Sequence, residues 1–311
     1  MDSSMLVSPG LVVASNKAII QAQRAIQLAS LFTTDFSGET KEEGATVSVD
    51  VYSGNASKFN ASTNNYEKTD GKIIPVKVSL DDVIKATFKI TQKDLNDINK
   101  SSKYRNCGVA EGRMISDAIE SEISSLLTYG DREDAITGFT LAKMGEGVLE
   151  KIGAKWNPAT CNVILTAKYY GALLDHAKDK GILQSDNFAE VAQALGRLYG
   201  FKSIFMLGKV SDLSAEETHK CAGYVVPEDA IAIAGRGIEE AVEGTYKAFT
   251  TQTDPESGLP ITSFMHGSPA ENSGFINAAT QLGCRLTKEE HTIDDNTVSN
   301  GAPGYMQLVT A

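Results

Sequence analysis

The pattern of apolar residues predicts an α+β protein, and three observations carry that prediction. Two stretches with a two-residue period flank a polar insert: Val47, Val49 and Val51 before it, and Val76, Val78 and Leu80 after it. Such alternation marks half-buried strands. A long helical pattern follows, in which Val109, Met114, Ile115, Ala118, Ile119, Ile123, Leu126 and Leu127 recur at three- and four-residue spacing, the mark of one apolar face. Between 162 and 207 short apolar runs alternate with helical patterns, which predicts a compact α/β unit.

In chain order, residues 1–43 read as an N-terminal arm. Lys17 to Phe32 is expected to be one helix, with Ile19, Ala22, Ile26 and Ala29 on one face. It packs either on its own subunit or on a neighbour. Residues 44–80 read as an extended hairpin with a polar tip, Ser53 to Gly71. Ordering such a tip costs roughly 20–40 kcal/mol, at about 1–2 per residue. Phe59 and Tyr66 are its main apolar residues, and burying each returns about 2–3 kcal/mol. The tip therefore either moves freely or is held by a partner. Its candidate contact residues are Lys58, Phe59, Tyr66 and Lys68.

A strand with Ile84, Ala86, Phe88 and Ile90 on one face comes next. Thr91-Gln-Lys-Asp94 has the spacing of a capping box, before a short helix carrying Leu95 and Ile98. The long helix spans Gly108 to Leu127, with Glu111, Asp117 and Glu120 facing away from its apolar side. About twenty residues give a spine of roughly 30 Å. Leu141 to Ile152 is a further expected helix. In the α/β unit Thr166 and Asp186 are expected N-caps, while Gly181 and Gly200 close the two helices. Gly235-Arg-Gly237 reads as a turn, Ala241 to Thr251 as extended, Ile261 to Met265 and Phe275 to Leu286 as paired strands, and Tyr305 to Val309 as the last strand.

The chain has 311 residues, 41% of them hydrophobic and 22% charged, with a net charge of −11. That balance argues against tight sequence-specific nucleic-acid binding, which wants a basic face, but it permits enclosure of nucleic acid. Cys107, Cys161, Cys221 and Cys284 form no C-x-x-C pair and read as isolated core thiols. No apolar run is long enough to span a membrane, and no charged n-region precedes an apolar core as a signal peptide would require.

No catalytic constellation emerges. His176, His219, His266 and His291 share no metal-ligand spacing, and His176 sits near a predicted helix C-terminus, where it complements the dipole. The acidic pairs Asp81-Asp82, Glu216-Glu217, Glu239-Glu240, Glu289-Glu290 and Asp294-Asp295 read as solvated surface. The single Trp156 reads as a packing residue. Nucleotide-binding glycine loops and a nucleophile elbow are absent from the sequence. No cofactor is expected, and the protein is not expected to be an enzyme.

Three stretches carry a resemblance. Ala86-Thr-Phe-Lys-Ile-Thr-Gln-Lys-Asp-Leu-Asn-Asp-Ile98, Ala194-Leu-Gly-Arg-Leu-Tyr-Gly-Phe-Lys-Ser-Ile-Phe205 and Tyr224-Val-Val-Pro-Glu-Asp-Ala-Ile-Ala-Ile-Ala234, with the later Gly258-Leu-Pro-Ile-Thr262 and Gly283-Cys-Arg-Leu286, resemble the major capsid proteins of tailed double-stranded DNA bacteriophages. These have the Hong Kong 97-type fold. The likeness covers most of the chain as an order of elements.

It implies an N-terminal arm (1–43), an extended hairpin loop (44–80), a peripheral domain with the spine helix (81–154 and 251–297) and an axial domain (155–250 and 298–311). It further implies self-assembly into pentamers and hexamers of an icosahedral shell around packaged DNA, which is touched without sequence specificity. The arm and the hairpin would both lie over neighbouring subunits. The resemblance implies a separate scaffolding protein, a portal and decoration proteins as partners. It places the chain in the virion capsid, with the host cytoplasm as the site of assembly. Lys–Asn crosslinks occur in some relatives, and no such pair is assigned here. The alternatives are an encapsulin-like compartment, a tail or decoration protein, and a cytosolic α/β enzyme built on 155–235.

Overall fold

The computed structural model describes residues 9–35, 46–53, 59–60, 65–66, 72–80, 83–91, 94, 100–127, 135–179, 188–207, 220–238, 248–255, 257–268, 273–288, 290–293, 296–299 and 304–310. Its organising feature is a pair of helices, α1 (Pro9–Ala29) and α2 (Lys100–Leu126). Alanines 14, 18, 22, 25 and 29 of α1 are fully buried. Where Ala14 and Ala18 meet α2, the partner residues are Gly108 and Gly112. A methyl group on Gly108 would stand 2.1 Å from the Ala14 carbonyl oxygen, and one on Gly112 2.3 Å from that of Ala18. The matching order of these contacts means that the helices run parallel. Small residues on both sides let their backbones touch.

This changes the expectation for the arm. Residues 9–29 pack on their own subunit, and the helix starts eight residues earlier than the sequence suggested. The apolar stripe from Leu11 through Ala29 is as continuous as any core helix, so it is buried in the chain that carries it. Helix α2 is also longer than expected. At 1.5 Å per residue its 27 residues span about 40 Å. Its buried stripe is Ile115, Ile119, Ile123 and Leu127, while Met114 is 49% exposed. Glu111 and Glu120, expected to face away, are buried. Both lie one turn from a buried isoleucine, on the same side of the helix.

The strands are β1 (Thr33–Asp35), β2 (Thr46–Ser53), β3 (Phe59–Asn60), β4 (Asn65–Tyr66), β5 (Lys72–Ser79), β6 (Val83–Thr91), β7 (Ala135–Ile136), β8 (Cys161–Thr166), β9 (Ser203–Leu207), β10 (Cys221–Pro227), β11 (Ile231–Arg236), β12 (Ala248–Thr253), β13 (Pro260–Ser268), β14 (Ser273–Leu286), β15 (Glu290–Ile293), β16 (Asn296–Ser299) and β17 (Met306–Val309). One sheet has the order β1-β11-β14-β13-β12, with β6 on the other edge of β14. Every pairing in it is antiparallel except β1 with β11. One face lies under α1 and α2, where Ala86, Ile233, Ile261 and Ala278 join Ala18, Ile115 and Ile119 in one core. The expected pairing of 261–265 with 275–286 is present as β13 and β14. Gly235 and Arg236, read as part of a turn, are instead the last rungs of β11, where the Arg236 guanidinium donates to the Gln281 side chain.

The second sheet has the order β7-β17-β10-β8-β9. Along β8, Ile164 points into the core shared with α1 and α2, while Val163 and Leu165 join a separate cluster with Leu173, Leu195, Ile204 and Leu308. A strand buried on both faces reads as an unbroken apolar run, as Cys161 to Leu165 does. The outer cover is α4 (Ala167–Asp179) and α5 (Phe188–Tyr199), joined by half-buried Trp156 and the short α3 (Leu149–Gly153). The helix expected over 141–152 is a 3₁₀ turn, a π turn and then α3. Gly145 and Gly147 lie in the π turn and weaken regular helix there.

Gly200 closes α5 as expected, with φ at +81°. The Phe201 amide donates to the Gly196 carbonyl and the Gly200 amide to that of Arg197, a Schellman closure. Thr166 does not cap α4. Its hydroxyl donates to the Ala222 carbonyl on β10 instead. Gly181 and Asp186 lie outside the described residues. The Thr91–Asp94 capping box is present: the Thr91 amide donates to the Asp94 carboxylate at 2.9 Å, and the Asp94 amide points back at the Thr91 hydroxyl at 3.4 Å. Leu95 and Ile98 lie outside the described residues.

Asn162 ties the second sheet to the chain just after α1. It is fully buried on β8, donates to the Leu31 carbonyl just after α1 at 2.9 Å, and accepts from the Ser203 hydroxyl at 2.7 Å. Asn162→Ala strands both partners without water. It is expected to lower stability by about 2–3 kcal/mol, read as the denaturant midpoint, whereas an unchanged midpoint would show that the tie contributes nothing.

Candidate functional site

The candidate site is the hairpin and its seat. Strands β2 and β5 pair over eight antiparallel rungs, from Thr46 opposite Ser79 to Ser53 opposite Lys72, about 26 Å at the usual strand rise. The inward face is Val47, Val49, Val51, Val76, Val78 and Leu80, all buried on Ala232 and Ala234 of β11. The outward face carries Ser48, Asp50, Ile73, Pro75, Lys77 and Ser79, all exposed. Strand β14 passes close beneath the root: a methyl on Gly283 would stand 2.1 Å from the Ser79 carbonyl oxygen. The Arg285 guanidinium donates to the Lys77 carbonyl at 3.0 Å.

The expectation that 44–80 lies over a neighbour is thereby narrowed to the parts not packed on β11. The valine face of the two stems is already occupied by β11 of the same chain. What remains for a neighbour is the exposed outer face, where Ile73 is 61% exposed, together with the tip. At the tip, β3 pairs with β4, and the register sets Phe59 opposite Tyr66 and Asn60 opposite Asn65. Among the described residues this ladder joins no other strand. Lys58 and Lys68 lie outside the described residues.

Beside the root, a cleft of about 480 Å³ opens between Lys77 and Ser79 of β5, Glu122 of α2, and Leu282 to Arg285 of β14. Its walls include both charge signs and a cysteine. Cys284 and the other three cysteines are free thiols. Burial pushes each of them up, Cys161 to about 12, so none is activated as a nucleophile. Among the described residues, no group of three or more His, Cys, Asp and Glu side chains is placed to hold a metal. Among the described residues, no helix is long and apolar enough to cross a membrane.

His176 lies where the sequence placed it, near a helix C-terminus. It is exposed in the last turn of α4. His266 stacks on Phe275, with ring centroids 4.9 Å apart, and its Nδ1 lies 3.0 Å from the Asn277 amide. Burial holds it below the usual histidine range, helped by nearby Lys85. His219 lies outside the described residues. The Lys103 ammonium sits 2.6 Å from Asp94. With the hydrogen bonds from Thr91, it holds the Asp94 carboxyl well below the ordinary range.

Sequence reasoning missed two functional features. One is the close contact of α1 with α2, signalled by alanines at 14, 18, 22, 25 and 29 and by Gly108 and Gly112 at four-residue spacing. The other is Glu111, whose place on the 111-115-119-123 stripe was visible. It is 0% exposed, neither carboxyl oxygen has a hydrogen-bond partner among the described residues, and burial raises its pKa to about 8.

No protein-family model matches the chain, and no curated protein matches it. Among solved structures, the chain is similar to the capsid structure of the cyanophage P-SCSP1u, with a TM-score of 0.44 and 11% identity over 90% of this chain and 86% of that one. It is similar to a chain from Mycobacterium phage Che8, with a TM-score of 0.43 and 14% identity over 90% and 89% of the two chains. It is also similar to the capsid of the Myoviridae phage XM1, with a TM-score of 0.44 and 10% identity over 91% of each.

Proposed function

We propose that this chain is a shell-building protein: the major capsid protein of a tailed double-stranded DNA phage, with the Hong Kong 97-type arrangement. The observation that carries the reading is the hairpin. Its root is seated on the subunit's own β11, while its outer face is exposed and its tip strands pair only with each other among the described residues. A two-stranded ribbon without further cover is marginal in water. A second copy of the subunit supplies that cover, and a long-lived interface of this kind buries roughly 2,000–5,000 Å².

The two-sheet organisation supports the same reading. The unit built on β8, β9, β10, α4 and α5 is the axial element that meets its symmetry mates in pentamers and hexamers. The β6-β14-β13 sheet with α2 is the peripheral element. In this reading Lys58, Phe59, Tyr66 and Lys68 make intersubunit contacts. A scaffolding protein, a portal and decoration proteins complete the particle. The protein acts structurally and carries no catalytic site. Assembly takes place in the host cytoplasm and ends in the virion.

Electron microscopy of the expressed protein, alone and with the neighbouring phage genes, tests this. Closed particles of uniform diameter that contain DNA when the packaging genes are present are expected. Particles that carry an enzyme cargo instead would identify a compartment shell. A species that stays monomeric under every condition would overturn both.

A further inference from the structure

Three buried side chains without partners among the described residues each sit, along their own element, between the same two apolar clusters. The first is a small cluster of Leu11, Ile90 and Ile276, joined by Cys107 and Met265. The second is the main core, containing Ala18, Ile115, Ile261 and Ala278. Going from the first cluster to the second, each element passes through one polar residue. On α1 it is Ser15, between Leu11 and Ala18. On α2 it is Glu111, between Cys107 and Ile115. On β13 it is Ser263, between Met265 and Ile261. All three are fully buried, and none of their side-chain oxygens has a hydrogen-bond partner among the described residues.

Buried polar oxygens are nearly always satisfied. Where the chain supplies no partner, a site with several converging polar groups holds ordered water. We infer that Ser15, Glu111 and Ser263 form an internal water-binding layer that docks α1 through a neutral Glu111 carboxyl, so that undocking of α1 releases one proton. The inference does not rest on the proposed function.

Among the described residues, no counter-ion meets the carboxyl. On its own helix the titratable neighbour is Cys107, one turn away and itself raised by burial. Helix α1 carries two cations, Lys17 and Arg24. Lys17 is half-buried and makes no bond to the carboxyl, neither of whose oxygens has a partner. The helix-facing residues where β6, β13 and β14 pass between the two clusters are Ala86, Ile90, Ser263, Met265, Ile276 and Ala278, which bear no charge. With desolvation as the cause, burial raises the group to about 8.

The sign follows from linkage. Docked, the carboxyl stays protonated up to about pH 8. Undocked, it ionises near the ordinary glutamate value of about 4.3. Between those limits the undocked form binds fewer protons, so each unit of rising pH favours it about tenfold. Below the window and above it the balance is flat.

Hydrogen exchange of the full chain tests this, corrected for intrinsic rates and with peptides from α4 as reference. Protection of 9–29 is expected to fall at least about tenfold between pH 5.5 and 7.5 in the wild type, and to stay level in Glu111→Gln. Ser15→Ala or Ser263→Ala, by removing a hydroxyl that solvates the carboxylate, should move the upper limit of the window to higher pH. Wild-type protection that does not change with pH would overturn the inference, and so would an equal fall in Glu111→Gln. If ionised Glu111 recruits Lys17, protection persists at alkaline pH, which counts against it too. Should Glu111→Gln fail to fold, the wild type decides alone: a Glu111 carboxyl resonance titrating near 4.5, or a crystal structure with no water at the carboxyl, refutes it.

Discussion

Gly108→Ala is expected to be among the most damaging single substitutions in the protein, although it improves intrinsic helix propensity. Alanine exceeds glycine by about 1 kcal/mol at an exposed helix position. The new methyl on α2, however, would stand 2.1 Å from the Ala14 carbonyl oxygen and 2.7 Å from its Cα. These are backbone atoms of a helix whose alanines are all buried, so no side chain can rotate to make room. The helices must separate, which opens the core around Ala18, Ile115 and Ile119. Overpacking of a rigid core costs about 1–3 kcal/mol and more when backbone must move. A loss of about 3 kcal/mol or more is expected, a large part of the 5–15 that holds a typical domain. Gly171→Ala on α4 is the control, because its methyl meets nothing within 4 Å. It is expected to stabilise by about 0.5–1 kcal/mol. Equal effects of the two substitutions on the urea midpoint would show that the helix contact is not what fixes Gly108.

The same contact shows what could be read in advance and what could not. Strands β2, β5 and β6 were legible because each has one buried face, and a two-residue period has no other common cause. The stripe from Ile115 to Leu127 was legible for the same reason at helical period. The start of α2 was not, since Lys100 to Asn106 is polar and draws its helicity from neighbours such as Gly10, which lies against the Tyr104 ring. Glu111 was misplaced by its chemistry: charge suggested solvent, whereas spacing put it on the buried stripe. The arm was misjudged because a helix that packs on its own subunit and one that packs on another have the same apolar face. Only Gly108 and Gly112, small at the right spacing on a second helix, marked its real partner. The hairpin's seat depended on Ala232 and Ala234, whose small side chains give no periodic signal inside an unbroken apolar strand. Phe59 and Tyr66 were chosen as the tip's apolar residues, and their backbones pair across β3 and β4.

Deleting the tip is expected to abolish assembly while leaving the subunit folded. The last rung of the root sets Ser53 opposite Lys72, so an Asn-Gly pair in place of 54–71 closes the ladder with the two-residue turn that suits strand twist. None of the six buried root residues is touched, nor is the β11 seat. Shortening an 18-residue connection to two residues also lowers its closure entropy, by about 2 kcal/mol at roughly 0.6 per halving of length. The melting temperature should therefore stay level or rise. Particle yield should fall below detection if, as proposed, the tip supplies the contacts to a neighbour. Graded variants separate contact from mere length. Phe59→Ala or Tyr66→Ala is expected to cost up to about 2 kcal/mol per interface if it is an anchor, raising the protein concentration needed for assembly about thirtyfold at one such contact. Lys58→Gln and Lys68→Gln should instead act mainly through salt dependence, since charge attraction across a wet interface is screened within about 10 Å at moderate ionic strength. Normal shells from the deletion variant would mean that neighbouring subunits are joined through the outer root, around Ile73 and Lys77, and not through the tip.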